Sequence, residues 1–182
     1  IENFKSIKDL RIDTKRVNVF IGEPNSGKTN IIEALSFLSI NATDQSIFKD
    51  IIRFESIDDL FPDSDISQPI KVTTDNLSFS IEFHKNERGA IMNNFLYRFF
   101  TEPEQKDPNR FILDFDGNIH NQEGDNFNGN ICLYKFKRNR EFVKNFRSFL
   151  NPPYGDNIPG LLLSNKELRK LVSDIFKDKG FK

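Results

Sequence analysis

Cysteine is almost absent from this chain: Cys132 stands alone among 182 residues. That excludes an internal disulfide framework and fits a reducing, cytoplasmic setting. Histidine is nearly as scarce. His84 and His120 have no Cys or His companion at ligand spacing, so a metal site built from side chains alone is not expected. No serine has a histidine at a recognisable spacing, which argues against a nucleophilic hydrolase. No apolar run approaches the ~20 residues that a spanning helix needs. Nor does a charged n-region followed by an apolar h-region open the sequence, and no membrane partner is expected.

What is present is aromatic and unevenly charged. Twenty Phe supply much of the apolar surface, and such aromatic content is foreign to disordered segments. With 37% hydrophobic and 29% charged residues, the chain is slightly polar for a globular protein. Its length suits one large domain or two small ones. The net charge of −1 conceals a polarity. Residues 41–130 carry 8 basic and 17 acidic side chains, whereas residues 131–182 carry 12 and 5. Such a distribution bears on partners and solubility more than on fold. The sequence opens at Ile1 rather than Met and ends at Lys182 just after a helix-like segment, and it is expected to be part of a longer protein.

Periodicity predicts strands at 1–13 and, as the short apolar run VNVFI, at 17–21. A helix is predicted over about 28–40, with Ile31, Ile32, Leu35 and Leu38 as its apolar stripe. A second helix is expected at 46–61, with Ile47, Phe48, Ile51 and Ile52 on one face. From Ile70 the period becomes two: Leu77, Phe79, Ile81 and Phe83 alternate with polar residues, as in a half-buried antiparallel strand. Further strands are predicted at 95–100, 110–116 and 130–136, with a turn at Asp116-Gly117. The stretches 101–109 and 120–130 read as exposed loops. A helix over 140–150 groups Phe142, Phe146, Phe149 and Leu150 and ends at Asn151-Pro-Pro-Tyr-Gly. Ser164 and Glu167 form a capping box before Leu168, Leu171, Val172, Ile175 and Phe176, with Gly180 as the stop.

The motif that carries chemistry is Gly22-Glu-Pro-Asn25-Ser26-Gly27-Lys28-Thr29. Phosphate oxygens need several donors at short range, and backbone N–H groups can supply them only where side chains do not intervene. Gly22 permits the turn out of the strand and Gly27 the close approach of backbone to anion. Asn25 stands where many such loops carry Gly, and Asn tolerates positive φ better than other residues with a side chain. The helix beginning near Lys28 points its dipole and unpaired N–H groups at the phosphates. Lys28 would reach the β- and γ-phosphates, and Thr29 would offer a hydroxyl to Mg2+. A chance match to this pattern arises in roughly one chain per few hundred of this length, and the flanking strand and helix reduce that further. ATP or GTP with magnesium is therefore the expected ligand.

The flanks narrow the class. Ile1-Glu-Asn-Phe-Lys5-Ser6-Ile7, Val17-Asn-Val-Phe-Ile-Gly22 and Gly27-Lys-Thr-Asn30-Ile-Ile-Glu-Ala-Leu35 resemble the amino-terminal half of ABC-type ATPase heads. The group concerned is that of SMC, RecF and OLD-like proteins, often labelled AAA-domain proteins. Pro152-Pro-Tyr-Gly-Asp-Asn157 and the helix after it resemble one bacterial branch. The resemblance implies an α/β P-loop NTPase half-head with an antiparallel β-rich subdomain and C-terminal helices. On this reading 1–68 is the nucleotide-binding segment, 69–136 the β-rich subdomain and 137–182 a helical segment. It further implies ATP with Mg2+ sandwiched between two heads of a homodimer, and a role in DNA transactions or defence against foreign DNA. Carried over by position, Gly22, Asn25, Ser26, Gly27, Lys28, Thr29 and Asn30 hold the nucleotide. Lys28 is then the catalytic lysine and Thr29 the metal ligand, with Lys5 and Ser6 near the nucleotide.

Two parts of such a head are missing from the sequence, an LSGG-like signature and a Walker B strand. The nearest to the latter is Phe111-Ile-Leu-Asp114-Phe-Asp116, which has no Glu after Asp114 and reads as an ordinary strand more readily than as a magnesium-side carboxylate. No glutamine loop stands out. The segment is thus expected to bind nucleotide and hydrolyse it poorly. Two alternatives stay open: a P-loop kinase or GTPase, for which Asn165-Lys-Glu-Leu168 lacks the Asp of NKxD, and a non-catalytic nucleotide-responsive module. Lys137, Arg140, Lys144 and Arg147 could form a nucleic-acid face, but a solvated helix face is the plainer reading. His84 is expected to be exposed, and Cys132 to be a core or near-core thiol.

Overall fold

The computed structural model describes residues 1–39, 49, 51–84, 94–101, 109–123, 131–135, 141–143 and 145–177. The chain divides into two compact units, Ile1–Ile131 and Cys132–Lys182.

The first unit is built on a seven-stranded sheet in the order β2-β1-β3-β4-β5-β6-β7. Its strands are β1 (Glu2–Phe4), β2 (Ile7–Asp9), β3 (Ile70–Thr73), β4 (Leu77–His84), β5 (Asn94–Thr101), β6 (Asn109–Leu113) and β7 (Ile119–Glu123). Every pairing is antiparallel. Because β1 pairs with β3, residues 1–68 and 69–136, expected as separate segments, share one sheet. The alternation predicted for β4 places Phe79 and Ile81 in the core, opposite Phe99 and Tyr97 of β5.

On that buried face the rings form a continuous series. Phe4 meets Phe37 edge-on at 5.7 Å, Phe37 lies 4.4 Å from Phe79, and Tyr97 stacks on Phe79 at 5.6 Å and on Phe111 at 4.1 Å. Offset and edge-on geometries of this kind add to the area term. Helix α1 (Lys28–Ser36), continued by a 3-10 turn at Phe37–Ser39, is anchored to this layer. The Tyr97 hydroxyl donates to the Phe37 carbonyl at 2.9 Å. Burial pushes the phenol far above its ordinary range, so it remains a proton donor.

Several expectations are corrected here. Residues 17–21 form no strand: Val17, Val19 and Ile21 are exposed, and no described strand lies alongside to accept their backbone groups. A strand exists only as a member of a ladder, whatever its apolar content. The predicted strand 1–13 is a hairpin, β1 and β2, turning at Lys5-Ser6. The buried face of α1 comprises Glu33, Ala34 and Ser36 and continues into Phe37 and Leu38, while Ile32 is exposed. Ile47 and Phe48 of the expected helix 46–61 lie outside the described residues. Ile51 and Ile52 are buried, but 53–56 is not helical and Ile57–Leu60 is a 3-10 turn. Residues 120–123, expected to be loop, belong to the edge strand β7. The turn at Asp116-Gly117 is present, closed by Gly117 N–H on the Asp114 carbonyl and Asp114 N–H on the Asn118 carbonyl.

In the second unit, α2 (Ile158–Ser164) and α3 (Lys166–Lys177) follow the NPPYGDN turn. Residues 131–135 are not a strand, and Cys132 is exposed rather than in a core. The described residues of 140–150 are not helical. Their backbone is recruited by the turn instead: Val143 N–H donates to the Asp156 carbonyl, and the Asn157 amide donates to the Phe149 carbonyl. Gly160 also lies so close to the Asn145 carbonyl that a Cβ there would stand 2.3 Å from its oxygen. The cap of α3 is Asn165, whose Oδ1 accepts the Leu168 N–H at 2.9 Å, one residue beyond the predicted Ser164. Ser164 closes α2 and bonds back to the Leu161 carbonyl. Leu168 and Val172 on the apolar face of α3 are half-buried, and Leu171, Ile175 and Phe176 are exposed. Gly180 lies outside the described residues. Among those residues no helix is long and apolar enough to cross a membrane.

Candidate functional site

The loop from Gly22 to Gly27 enters α1 through two left-handed residues, Asn25 (φ 63°) and Gly27 (φ 84°). The positive φ expected of Asn25 is therefore what the backbone adopts, at a residue type that bears it with little strain. Gly27 is the N-cap of α1 and supplies no side-chain cap, and the first turn holds no acidic side chain. A helix start without a side-chain cap leaves its first N–H groups without an intrahelical or side-chain acceptor, at the positive end of the dipole. A Cβ at Gly22 would stand 3.1 Å from Ser26 Oγ and 3.8 Å from the Lys28 ammonium, so the loop curls back over Gly22.

Lys28 lies across this curl. Its ammonium donates to the Gly22 carbonyl at 2.9 Å, the Glu23 carbonyl at 2.5 Å and Ser26 Oγ at 3.0 Å. An ammonium has three protons, and these three acceptors use them all. Thr29 and Ser26 are exposed, and Gly27, Lys28 and Asn30 are half-buried.

The hairpin turn reaches the same helix. Ser6 Oγ accepts the Asn30 amide at 2.9 Å and lies 3.3 Å from where a Cβ on Gly27 would be, so it sits at the N-terminal end of α1. Lys5 points elsewhere. Its ammonium contacts Glu33 Oε2 at 2.5 Å and the Arg53 carbonyl at 2.6 Å. Arg53 Nε donates to the other oxygen of Glu33 at 2.7 Å. The structure thus gathers Ser6, Gly22, Asn25, Ser26, Gly27, Lys28, Thr29 and Asn30 around one helix start, and sets Lys5 one turn further along. Glu33 and Arg53 were not singled out from sequence. A carboxylate inside an apolar helical stripe was the signal available for the former.

Asp114 belongs to the β6–β7 turn. It accepts the Asn118 N–H and amide and the His120 Nε2. Burial would raise its carboxyl, but the hydrogen bonds from His120 and Asn118 outweigh that and hold it below the usual range. Its lone pairs serve the turn, in keeping with an ordinary strand end. His84 is exposed at the end of β4. Lys137, Arg140 and Lys144 lie outside the described residues, and Arg147 sits in non-helical chain with its guanidinium 5.9 Å from the Phe149 ring centre. Among the described residues no three His, Cys, Asp or Glu side chains come together.

Part of this chain is similar to curated proteins named DNA replication and repair protein RecF. Identity is 39% over 57 residues for that of Lactobacillus acidophilus and 38% over 58 residues for that of Lactobacillus gasseri. For that of Lactococcus lactis subsp. cremoris it is 36% over 56 residues. Each match takes in 30% or 31% of this chain and 15% or 16% of the relative, so it spans a small fraction of the relatives' length. No protein-family model matches the chain, and no solved structure does.

Proposed function

We propose that this chain carries the phosphate-binding part of an ATP-binding head of the ABC type, related to RecF. The observation that carries the reading is the glycine-bounded loop that turns through left-handed Asn25 and Gly27 into the uncapped start of α1. A Cβ at Gly22 would crowd the curl, which fits a loop whose backbone must approach its ligand. The short likeness to RecF supports an ABC-type ATPase-related function. The exposed Val17, Val19 and Ile21 beside the loop also support it, since an apolar run of this kind suits a strand whose neighbours come from another part of a larger head.

In this reading the N–H groups of residues 25–29 bind the phosphates. Lys28 exchanges its loop acceptors for phosphate oxygens, and Thr29 holds Mg2+. The metal ion would neutralise phosphate charge when bound. Engagement of two heads over ATP and a part in DNA transactions or defence follow from the RecF-like reading.

The test is titration with a fluorescent ATP analogue and Mg2+, with GTP as competitor. Lys28→Ala should lose roughly ten- to a hundredfold in affinity, the worth of a charged hydrogen-bond donor to phosphate. Undiminished binding in that variant would sink the cradle assignment, and preference for GTP would move the chain to another P-loop class.

A further inference from the structure

Glu33 is the most conspicuous group that the phosphate loop does not use. Its side chain is 4% exposed, yet it is a carboxylate on the inner face of α1, beside buried Ala34 and Ser36 and just ahead of buried Phe37 and Leu38. It receives two cations: Lys5, itself 15% exposed, on Oε2, and Arg53, 69% exposed, on Oε1. A buried carboxylate is costly unless paired and fully hydrogen-bonded, and apolar replacements often serve stability as well. Stability alone therefore explains poorly why an ion pair stands here.

Its position suggests what it does. Asn30 and Glu33 are three residues apart and so lie on one face of α1. Lys5 and Ser6 are consecutive in the β1–β2 turn, and they bond to these two positions in order, Ser6 to Asn30 and Lys5 to Glu33. Two adjacent bonds fix both the rotation of the helix and its position along its axis relative to the turn. The Lys5 N–H to Leu60 carbonyl bond at 2.8 Å and the Lys5 ammonium to Arg53 carbonyl bond hold the turn from its other side. Ser6 Oγ is thereby kept against Gly27, where the phosphates would arrive.

Resting on the nucleotide reading above, we infer that Glu33 is a positioning residue for nucleotide binding. By clamping Lys5 it holds the Lys5-Ser6 turn on the phosphate end of α1.

The full chain is titrated with the fluorescent ATP analogue and Mg2+ well below the melting temperature of every variant. Glu33→Gln and Lys5→Met should each weaken binding about fivefold, and the double variant should be no weaker than the worse single one, as for contacting residues that act together. Lys5→Arg should restore most of the affinity. Ser6→Ala leaves the ion pairs intact and should reproduce the loss without lowering the melting temperature, which a merely structural role of Glu33 would not predict. Wild-type affinity in folded Glu33→Gln, or losses that multiply in the double variant, would overturn the inference. Should Glu33→Gln not fold, an unchanged Kd in Ser6→Ala overturns it instead. These outcomes are distinct from failure of the nucleotide reading, in which Lys28→Ala also binds as the wild type does.

Discussion

The two flanks of the Gly22–Gly27 loop make an instructive pair. Upstream, Val17, Val19 and Ile21 are apolar and β-branched, yet they are 76%, 72% and 88% exposed. Downstream, α1 is less apolar and carries a glutamate on its inner face, yet Glu33, Ala34, Phe37 and Leu38 are buried. Residue type does not separate the two; the presence of a partner does. The helix satisfies most of its own backbone and needs only a surface to lie on, which Phe4 of β1, Phe79 of β4 and Tyr97 of β5 provide around Phe37. An isolated extended run cannot satisfy its backbone, so without an adjacent strand its apolar side chains confer no order.

That contrast can be broken most sharply at Phe37. Its ring is fully buried between Phe4 and Phe79, and removing it would open a cavity that the surrounding rings cannot close. Phe37→Ala should cost about 3–5 kcal/mol in urea unfolding of the chain. A cost near that of a surface change would mean that α1 is not docked on the sheet, and the two flanks would then be alike. A smaller effect is expected from Tyr97→Phe, which keeps the ring stack and removes the hydroxyl that donates to the Phe37 carbonyl. It should destabilise by roughly 1–2 kcal/mol, read as a lower unfolding midpoint with an unchanged slope. No loss would show that water reaches that carbonyl, and that the sheet holds the end of α1 by ring contact alone.

Much of this arrangement is legible in the sequence. A helix over about 28–40 and strands around Leu77–Phe83, at 95–100 and at 110–116 were readable because each is marked by a local period or a turn residue, and the structure forms them at 28–36, 77–84, 94–101 and 109–113. β7 was not, since the edge strand Ile119–Glu123 reads IHNQE and carries almost no apolar alternation. The segment 140–150 has a clear helical spacing of Phe, but the NPPYGDN turn takes its backbone groups, a competition invisible to periodicity. At the candidate site, the loop residues were legible because the pattern from Gly22 to Thr29 has a fixed spacing. Glu33 and Arg53 were not, because their pairing with Lys5 joins positions 28 and 48 residues away in sequence. A charge in an apolar stripe hints at such a partner without naming it.

The smallest expected effect sharpens the other side of the comparison. Ile21→Thr keeps β-branching and removes apolar surface from the most exposed position of the run. If water already covers that side chain, the change should alter unfolding free energy by no more than about 0.5 kcal/mol, within the range of surface substitutions. It should also raise the concentration at which the chain stays dispersed, because one member of an exposed apolar group is lost. A cost beyond about 1.5 kcal/mol would instead match burial of a large aliphatic side chain. Val17–Ile21 would then be packed in solution, and the difference between the flanks would lie in which surface each covers rather than in whether one exists.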